Sequence, residues 1–271
     1  MSDTLLHVFS IFPIQDNIAQ YLGEEDLKNL SSLGGIFANF YFDFNRELNL
    51  DQYDDEICSK FRKIENLHLR DNIQKQVVPK KVLSVLVSLE VPSIDNKIIN
   101  LKECKKLKTL RCKDLGNLDN NDFPLTLKKL ALYSCNNISK LNLKHLINLK
   151  EIDYSGISNI SDKINNFPVS LEKISLTAYQ QISDLNIKHL INLKEIHCSG
   201  SNITSADINN FPVSLERINL KECLALSDFN IKHLVNLKEI DCSYSPVTNG
   251  AVNNFPVSLG LSSRESKVRK F

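Results

Sequence analysis

The chain has no tryptophan, one methionine and only eight glycines in 271 residues. With so little Met and Trp, no polarizable, adaptable groove can be built, and eight scattered glycines leave no glycine-rich phosphate loop. Net charge is also lacking, since 33 Lys and Arg stand against 32 Asp and Glu. That balance removes the field on which sequence-independent nucleic-acid binding depends. Long apolar runs are missing too. The stretch around Val82 to Val91 falls far short of the ~20 residues that span a bilayer. Met1 to Pro13 carries Asp3 and no basic residue ahead of its apolar stretch, unlike a secretory leader. Neither a nucleic acid nor a membrane is expected as partner.

Seven cysteines form no C-x-x-C pair. An odd count without that spacing fits neither a disulfide framework nor a zinc knuckle, and points to a reducing compartment. Lys outnumbers Arg roughly four to one and Asn is abundant, a compositional bias of AT-rich genomes. A protist or large-virus source and a cytoplasmic or nuclear location follow as expectations, the host cytoplasm if viral.

What is present is repetition. Phe-Pro recurs at Phe123-Pro124, Phe167-Pro168, Phe211-Pro212 and Phe255-Pro256, and Lys-His-Leu at 144–146, 188–190 and 232–234, each step being 44 residues. Within that period the pattern L-x-x-I-x-[LYC] appears twice, as at Leu171, Ile174, Leu176 and at Leu193, Ile196, Cys198. The unit is therefore about 22 residues, the spacing of a leucine-rich repeat. Its period-two part is a short strand with apolar members pointing inward, and successive strands pair in parallel along a concave face. The fold expected is an α/β solenoid over residues 49–260.

The returns between strands are of two kinds. Ser183 to Leu190 has apolar residues at three-residue spacing and Asp184 near its start, which predicts a short capped helix on the convex side. Ser161 to Pro168 carries Asn165-Asn166 and a proline that would cut a helix after about one turn, so these returns should be tighter and less regular. Cys135 and Cys223 follow strand leucines in the units that begin at Leu127 and Leu215. There the chain resembles the cysteine-containing repeats of many F-box proteins, whose cysteine sits inward at the turn leaving the strand. Tyr179 and Ile157 hold the equivalent position in other units, and the units from Leu193 and Leu237 are one residue shorter there.

Upstream of Asp51 the 22-residue spacing disappears. Ile14, Ile18, Tyr21 and Leu22 share one helical face, Gly23 reads as a helix stop, and Asp26, Leu27, Leu30 and Leu33 open a second amphipathic segment. This predicts a small all-helical module over residues 8–48, which at minimum caps the end of the repeat stack. The stretch also resembles an F-box. The resemblance implies docking on a Skp-family adaptor of a cullin ubiquitin-ligase core, with Pro13, Ile14, Ile18, Leu22, Leu27 and Leu30 as the adaptor-facing or core apolar set. The repeats would then select a protein target, its identity unknown. The alternative is a free-standing interaction scaffold whose helical start is only a cap.

Outward strand positions form three rows. The first runs Thr109, Lys129, Glu151, Lys173, Glu195, Arg217, Glu239, and its alternating charges predict a self-neutralising ladder of about 0.2–1 kcal/mol per pair. The second and third mix polar groups, and Arg111, Tyr133, Asp153, Ser175, His197, Arg217, Asn219 and Asp241 are the candidate target-binding residues. No enzyme is expected. His145, His189 and His233 recur with the repeat, whereas a catalytic group belongs to one constellation. Cys112, Cys198 and Cys242 take inward positions where other units have Leu, so packing is their role. No cofactor or metal motif is found. Beyond Leu259 the repeat stops, which predicts a frayed basic tail over 261–271 and a partly exposed Leu237 strand.

Overall fold

The computed structural model describes residues 19–34, 38–71, 76–116, 118–133, 135, 141–156, 166–178, 185–227, 229–248, 251 and 253–259. Pro13, Ile14, Ile18 and the tail 261–271 lie outside the described residues. The chain divides into two compact units, residues 1–91 with 97–107, and residues 92–96 with 108–271.

In the first unit, helix α1 (Glu24–Ser32) begins directly after Gly23, whose extended backbone makes it the N-cap. Its N–H donates to Asp26 Oδ2 at 3.1 Å, which satisfies the backbone donor at the start of the helix;. Gly23, read from the sequence as a helix stop, here marks the start of a helix. Leu27 packs against Ala19, with Leu22, Leu30 and Tyr41 half-buried around them. Helix α2 (Phe40–Phe44) follows. The strands come next: β1 (Glu47–Leu50), β2 (Asn66–Leu69) after helix α3 (Asp55–Ser59), and β3 (Ser88–Ser93) after helix α4 (Lys80–Leu83). They pair in parallel with Leu48, Leu67 and Leu89 in register on the buried side.

The second unit carries β4 (Thr109–Asp114), β5 (Lys129–Leu132), β6 (Glu151–Asp153), β7 (Lys173–Ser175), β8 (Glu195–His197), β9 (Arg217–Asn219) and β10 (Glu239–Asp241). Every neighbouring pair is parallel, and Leu110, Leu130, Ile152, Ile174, Ile196, Ile218 and Ile240 line up in one buried row. The backbone ladder is continuous where the coils enter their strands: Lys150 N–H reaches Lys128 O, Glu172 reaches Lys150 and Lys194 reaches Glu172, at 2.8–2.9 Å. The architecture is the parallel-strand leucine-rich-repeat solenoid that the spacing predicts.

Phe-Pro has a double role in each coil. Phe123, Phe167, Phe211 and Phe255 are buried plugs, and the following proline, fixed in φ, opens a tight turn. Leu127 N–H closes that turn on Pro124 O at 3.1 Å, and Leu171, Leu215 and Leu259 do the same on Pro168, Pro212 and Pro256 at 3.2 Å. Coils without Phe-Pro make the same turn from leucine, as Leu149 N–H to Leu146 O at 3.0 Å.

The returns differ from expectation. The helix predicted over Ser183 to Leu190 is not formed over its described part, which runs as successive turns from Leu185. Leu185, Ile187 and Leu190 are all fully buried, and steps of two and then three point inward together only if the first is extended; a helix would turn Ile187 away. Helical turns lie instead in the other kind of return, as a 3-10 turn at Asn120–Asp122 and as α5 (Ser205–Ile208). Thr204 and Asp207 cap α5 reciprocally, and it ends before Phe211-Pro212. In the strand after Leu237, Leu237 and Ile240 are buried while Glu239 is exposed, and residues 253–259 lay Phe255 and Leu259 into the core.

Candidate protein-binding face

Strand register fixes the first two outward rows. Thr109, Lys129, Glu151, Lys173, Glu195, Arg217 and Glu239 are in-register neighbours, as are Arg111, Ala131, Asp153, Ser175, His197, Asn219 and Asp241. Arg111, Asp153, Ser175, His197, Arg217, Asn219 and Asp241 therefore stand on one face, and Tyr133 directly follows β5. Ala131 is the exception in the second row, fully buried between taller neighbours.

The charge ladder is real but concentrated. Lys129 pairs with Glu151 at 2.8 Å, and Glu195 takes Lys173 at 2.9 Å from one side and Arg217 at 3.1 Å from the other. His197, one strand position outward on the same chain, also bonds Glu195. Partial burial pushes the Glu195 carboxyl up, yet bonds from Lys173, His197 and Arg217 outweigh it and hold the group at about 2;. His197 thus meets a carboxylate of its own strand rather than Asp153 or Asp241.

Elsewhere the face is organised by short hydroxyl and carboxylate bonds. Asp153 accepts from Ser155 N–H at 3.1 Å, and Ser155 Oγ meets Ser175 Oγ at 3.0 Å. Asp241 accepts from Ser243 N–H at 2.9 Å, and Asn219 Oδ1 from Lys221 N–H at 3.0 Å. Lys221 Nζ stands 5.4 Å over the Tyr244 ring;. These bonds hold the polar side chains in place before any partner arrives, which lowers the ordering cost of an interface.

The reactive-looking groups are structural. Burial pushes the Cys58 and Cys104 thiols up to about 11 and 12 and raises Cys198, Cys223 and Cys242 as well. All seven cysteines are free and buried. Cys135 and Cys223 sit inward at the turn as the family resemblance implies, each S–H donating to a carbonyl of the preceding coil, Lys113 O at 2.9 Å and Cys198 O at 3.0 Å. His189 and His233 reach the carbonyls of Phe167 and Phe211 at 3.4 and 3.2 Å, bracing one coil on the next. Among the described residues no group of three or more His, Cys, Asp or Glu is arranged to hold a metal ion. Also among them, no helix is long and apolar enough to cross a membrane.

Of the proposed adaptor-facing set, Leu27 is 3 % exposed and Leu22 and Leu30 pack on it. Sequence reasoning missed a second ionic column one position before the strands, where Lys150 pairs with Glu172 at 2.8 Å and Lys238 with Glu216 at 2.7 Å. The signal was Lys128, Lys150, Glu172, Lys194, Glu216, Lys238 at 22-residue steps. A shallow groove lined by Glu172, Ile191, Lys194, Ser214, Glu216 and Lys238 lies along this column.

The coil defines a leucine-rich-repeat solenoid, and solved structures agree. The chain is similar to an internalin (inlF) from Listeria monocytogenes, with TM-score 0.51 and 16 % identity over 87 % of this chain and 88 % of that one. It also matches internalin C2 (inlC2) of the same organism, with TM-score 0.39 and 18 % identity over 64 % of this chain and 77 % of that one. At such identity the first likeness establishes the fold alone. No protein-family model matches the sequence, and no curated protein is detectably similar to it.

Proposed function

We propose that the chain is a non-enzymatic protein-interaction scaffold that holds a protein partner on the outward strand rows of its second unit. The observation that carries this is the face itself: seven registered strands present fixed polar groups, with no converging nucleophile, base and oxyanion site among the described residues. Arg111, Tyr133 and His197 are its larger contact groups, the kind that anchors interfaces. The test is affinity capture from the source cell with the intact chain as bait, compared with Arg111→Ala, Tyr133→Ala, Asp153→Ala and His197→Ala combined. The expected outcome is a specific protein retained by the first and lost from the second at unchanged circular dichroism. Equal retention by both would overturn the reading.

A second reading rests on the F-box resemblance and on the helical segment that precedes β1. Here residues up to about 45 dock a Skp-family adaptor of a cullin ligase, and the repeats present the target for ubiquitination. Co-expression with a Skp-family protein separates the two readings. Recovery of a stable complex, lost when residues 1–45 are deleted while the remainder stays soluble, supports the ligase role. Aggregation of the truncated chain with no adaptor recovered from the full one supports a simple cap.

A further inference from the structure

A column of aliphatic side chains runs along the second unit outside the rows described above. It starts at Leu125 and Ile147 and continues at 22-residue steps to Val257, each member between 56 % and 90 % exposed. All sit at the second position of the tight turn that leads into a strand, so the fold forces them outward;. The column is braced: Asn148, Asn192 and Asn236 donate from their side-chain amides to the carbonyls of Leu125, Val169 and Val213 at 2.9–3.0 Å. Coils spaced about 4.8 Å apart bring these side chains into one continuous apolar strip, the kind of exposed patch that marks an interaction site.

The flanks of the strip alternate. Coils with Ile147, Ile191 and Val235 carry lysine three positions before and three after, namely Lys144 and Lys150, Lys188 and Lys194, Lys232 and Lys238. Coils with Val169 and Val213 carry Asn166 and Asn210 before, and Glu172 and Glu216 after. The 44-residue period is thus a period of charge along an apolar seam.

We infer that this strip joins two copies of the chain, antiparallel, about a two-fold axis between the coils of Ile191 and Val213. Such an axis lies in the contact plane and carries each flank onto itself in reverse order, so every lysine coil meets a coil of the other kind. Ile191 then faces Val213, Val169 faces Val235 and Ile147 faces Val257. On one flank Lys194 faces Glu216 and Glu172 faces Lys238; on the other, Lys188 faces Asn210 and Asn166 faces Lys232. No like charges meet. A parallel pairing sets one flank against the other, with Lys188 opposite Lys194, and like-charge contact opposes it. A bilayer is a poor occupant, because the chain has no Trp to anchor in it; and Glu172 and Glu216 interrupt the basic border. Six turn-corner side chains and their borders make a small interface, so the dimer is weak and concentration-dependent. The inference is independent of the role proposed for the outward strand rows.

Sedimentation equilibrium of the full chain from about 1 to 200 µM, a range that brackets a micromolar Kd, tests it. The average mass should rise from 30.8 kDa toward twice that value. Ile191→Lys with Val213→Lys should keep the monomer throughout, a loss of at least about tenfold in affinity, with circular dichroism unchanged because both positions face solvent. A short bismaleimide should link Ile191→Cys protein to Val213→Cys protein better than it links either to itself; the native thiols are all buried. A single 30.8 kDa species at every concentration, association unaltered by the double substitution, or preferred linking of Ile191→Cys to itself would each overturn the proposal. So would a wild-type monomer that binds anionic vesicles through the same two positions.

Discussion

Glu195 is the residue on which the outward face concentrates its electrostatics. Three cationic or hydrogen-bonding partners converge on a carboxylate whose side chain is 18 % exposed. A folded-state value of about 2 against an ordinary 4.5 means that the stabilisation is complete above the unfolded value and is lost as pH falls through about 2. Glu195→Gln is therefore expected to lower the unfolding free energy by about 1 kcal/mol at pH 7, reduced from the full linkage figure because Lys173 and Arg217 are themselves well exposed to solvent. The gap between wild type and variant should shrink as pH falls from 4.5 toward 2, read by urea titration at each pH. A gap unchanged at pH 2 would assign the effect to packing. The alternation of charges in this row was legible in the sequence. The unequal sharing was not, because His197 reaches Glu195 along its own strand, two residues away, where period-two reasoning looks only across strands.

At the scale of one coil, the turns leaving β6 to β10 carry a left-handed residue at 22-residue steps: Gly156, Ala178, Gly200, Glu222 and Tyr244, with φ between 55° and 72°. The N–H of Ala178, held in that conformation, donates to Ser199 O at 2.8 Å, and Gly200 and Glu222 repeat the bond on Lys221 and Ser243. A side chain at positive φ is strained, and glycine is not. Ala178→Gly should therefore stabilise the protein by about 0.5–1 kcal/mol, seen as a raised denaturation midpoint at constant m-value. Gly116→Ala should do the reverse with a larger effect, since φ is 55° and a Cβ would stand 2.1 Å from Ile94 O; loss of midpoint in the same titration checks it. The strands and buried cysteines could be read from sequence because inward and outward residues alternate there, Ala131 apart. The returns could not, because Leu185, Ile187 and Leu190 offer a three-residue spacing that a helix shares, and only the extended backbone buries all three. The turn-corner column escaped for a different reason: an exposed aliphatic residue has no periodic signature within its own coil, and Ile147 shows its meaning only when aligned with the residues 22 before and after it.

Across the second unit, each coil bonds only to its neighbours, so the order of coils matters more than their number. From Lys150 onward two ionic columns alternate in sign with the 44-residue period: Lys150 meets Glu172 at 2.8 Å before the strands, and Lys173 meets Glu195 at 2.9 Å within them. Removing residues 169–212 joins Pro168 to Val213 and keeps the signs opposed across the new junction, with Lys150 beside Glu216 and Glu151 beside Arg217. Removing only 169–190 joins Pro168 to Ile191 and sets Lys150 beside Lys194 and Glu151 beside Glu195. The longer deletion is expected to give the more stable protein of the two, measured by thermal unfolding. The reverse order would mean that coil number outweighs charge register.

The proline and leucine corners are the same turn reached from two different sequences, Phe-Pro-Val-Ser-Leu and His-Leu-Ile-Asn-Leu. Between Lys150 and Lys238, neither alone can tile next to itself without setting like charges together, so the unit that repeats without charge conflict there is the pair. Within that stretch, loss of a single coil brings like charges together, while loss of a whole pair leaves each remaining coil beside a neighbour of the same kind as before.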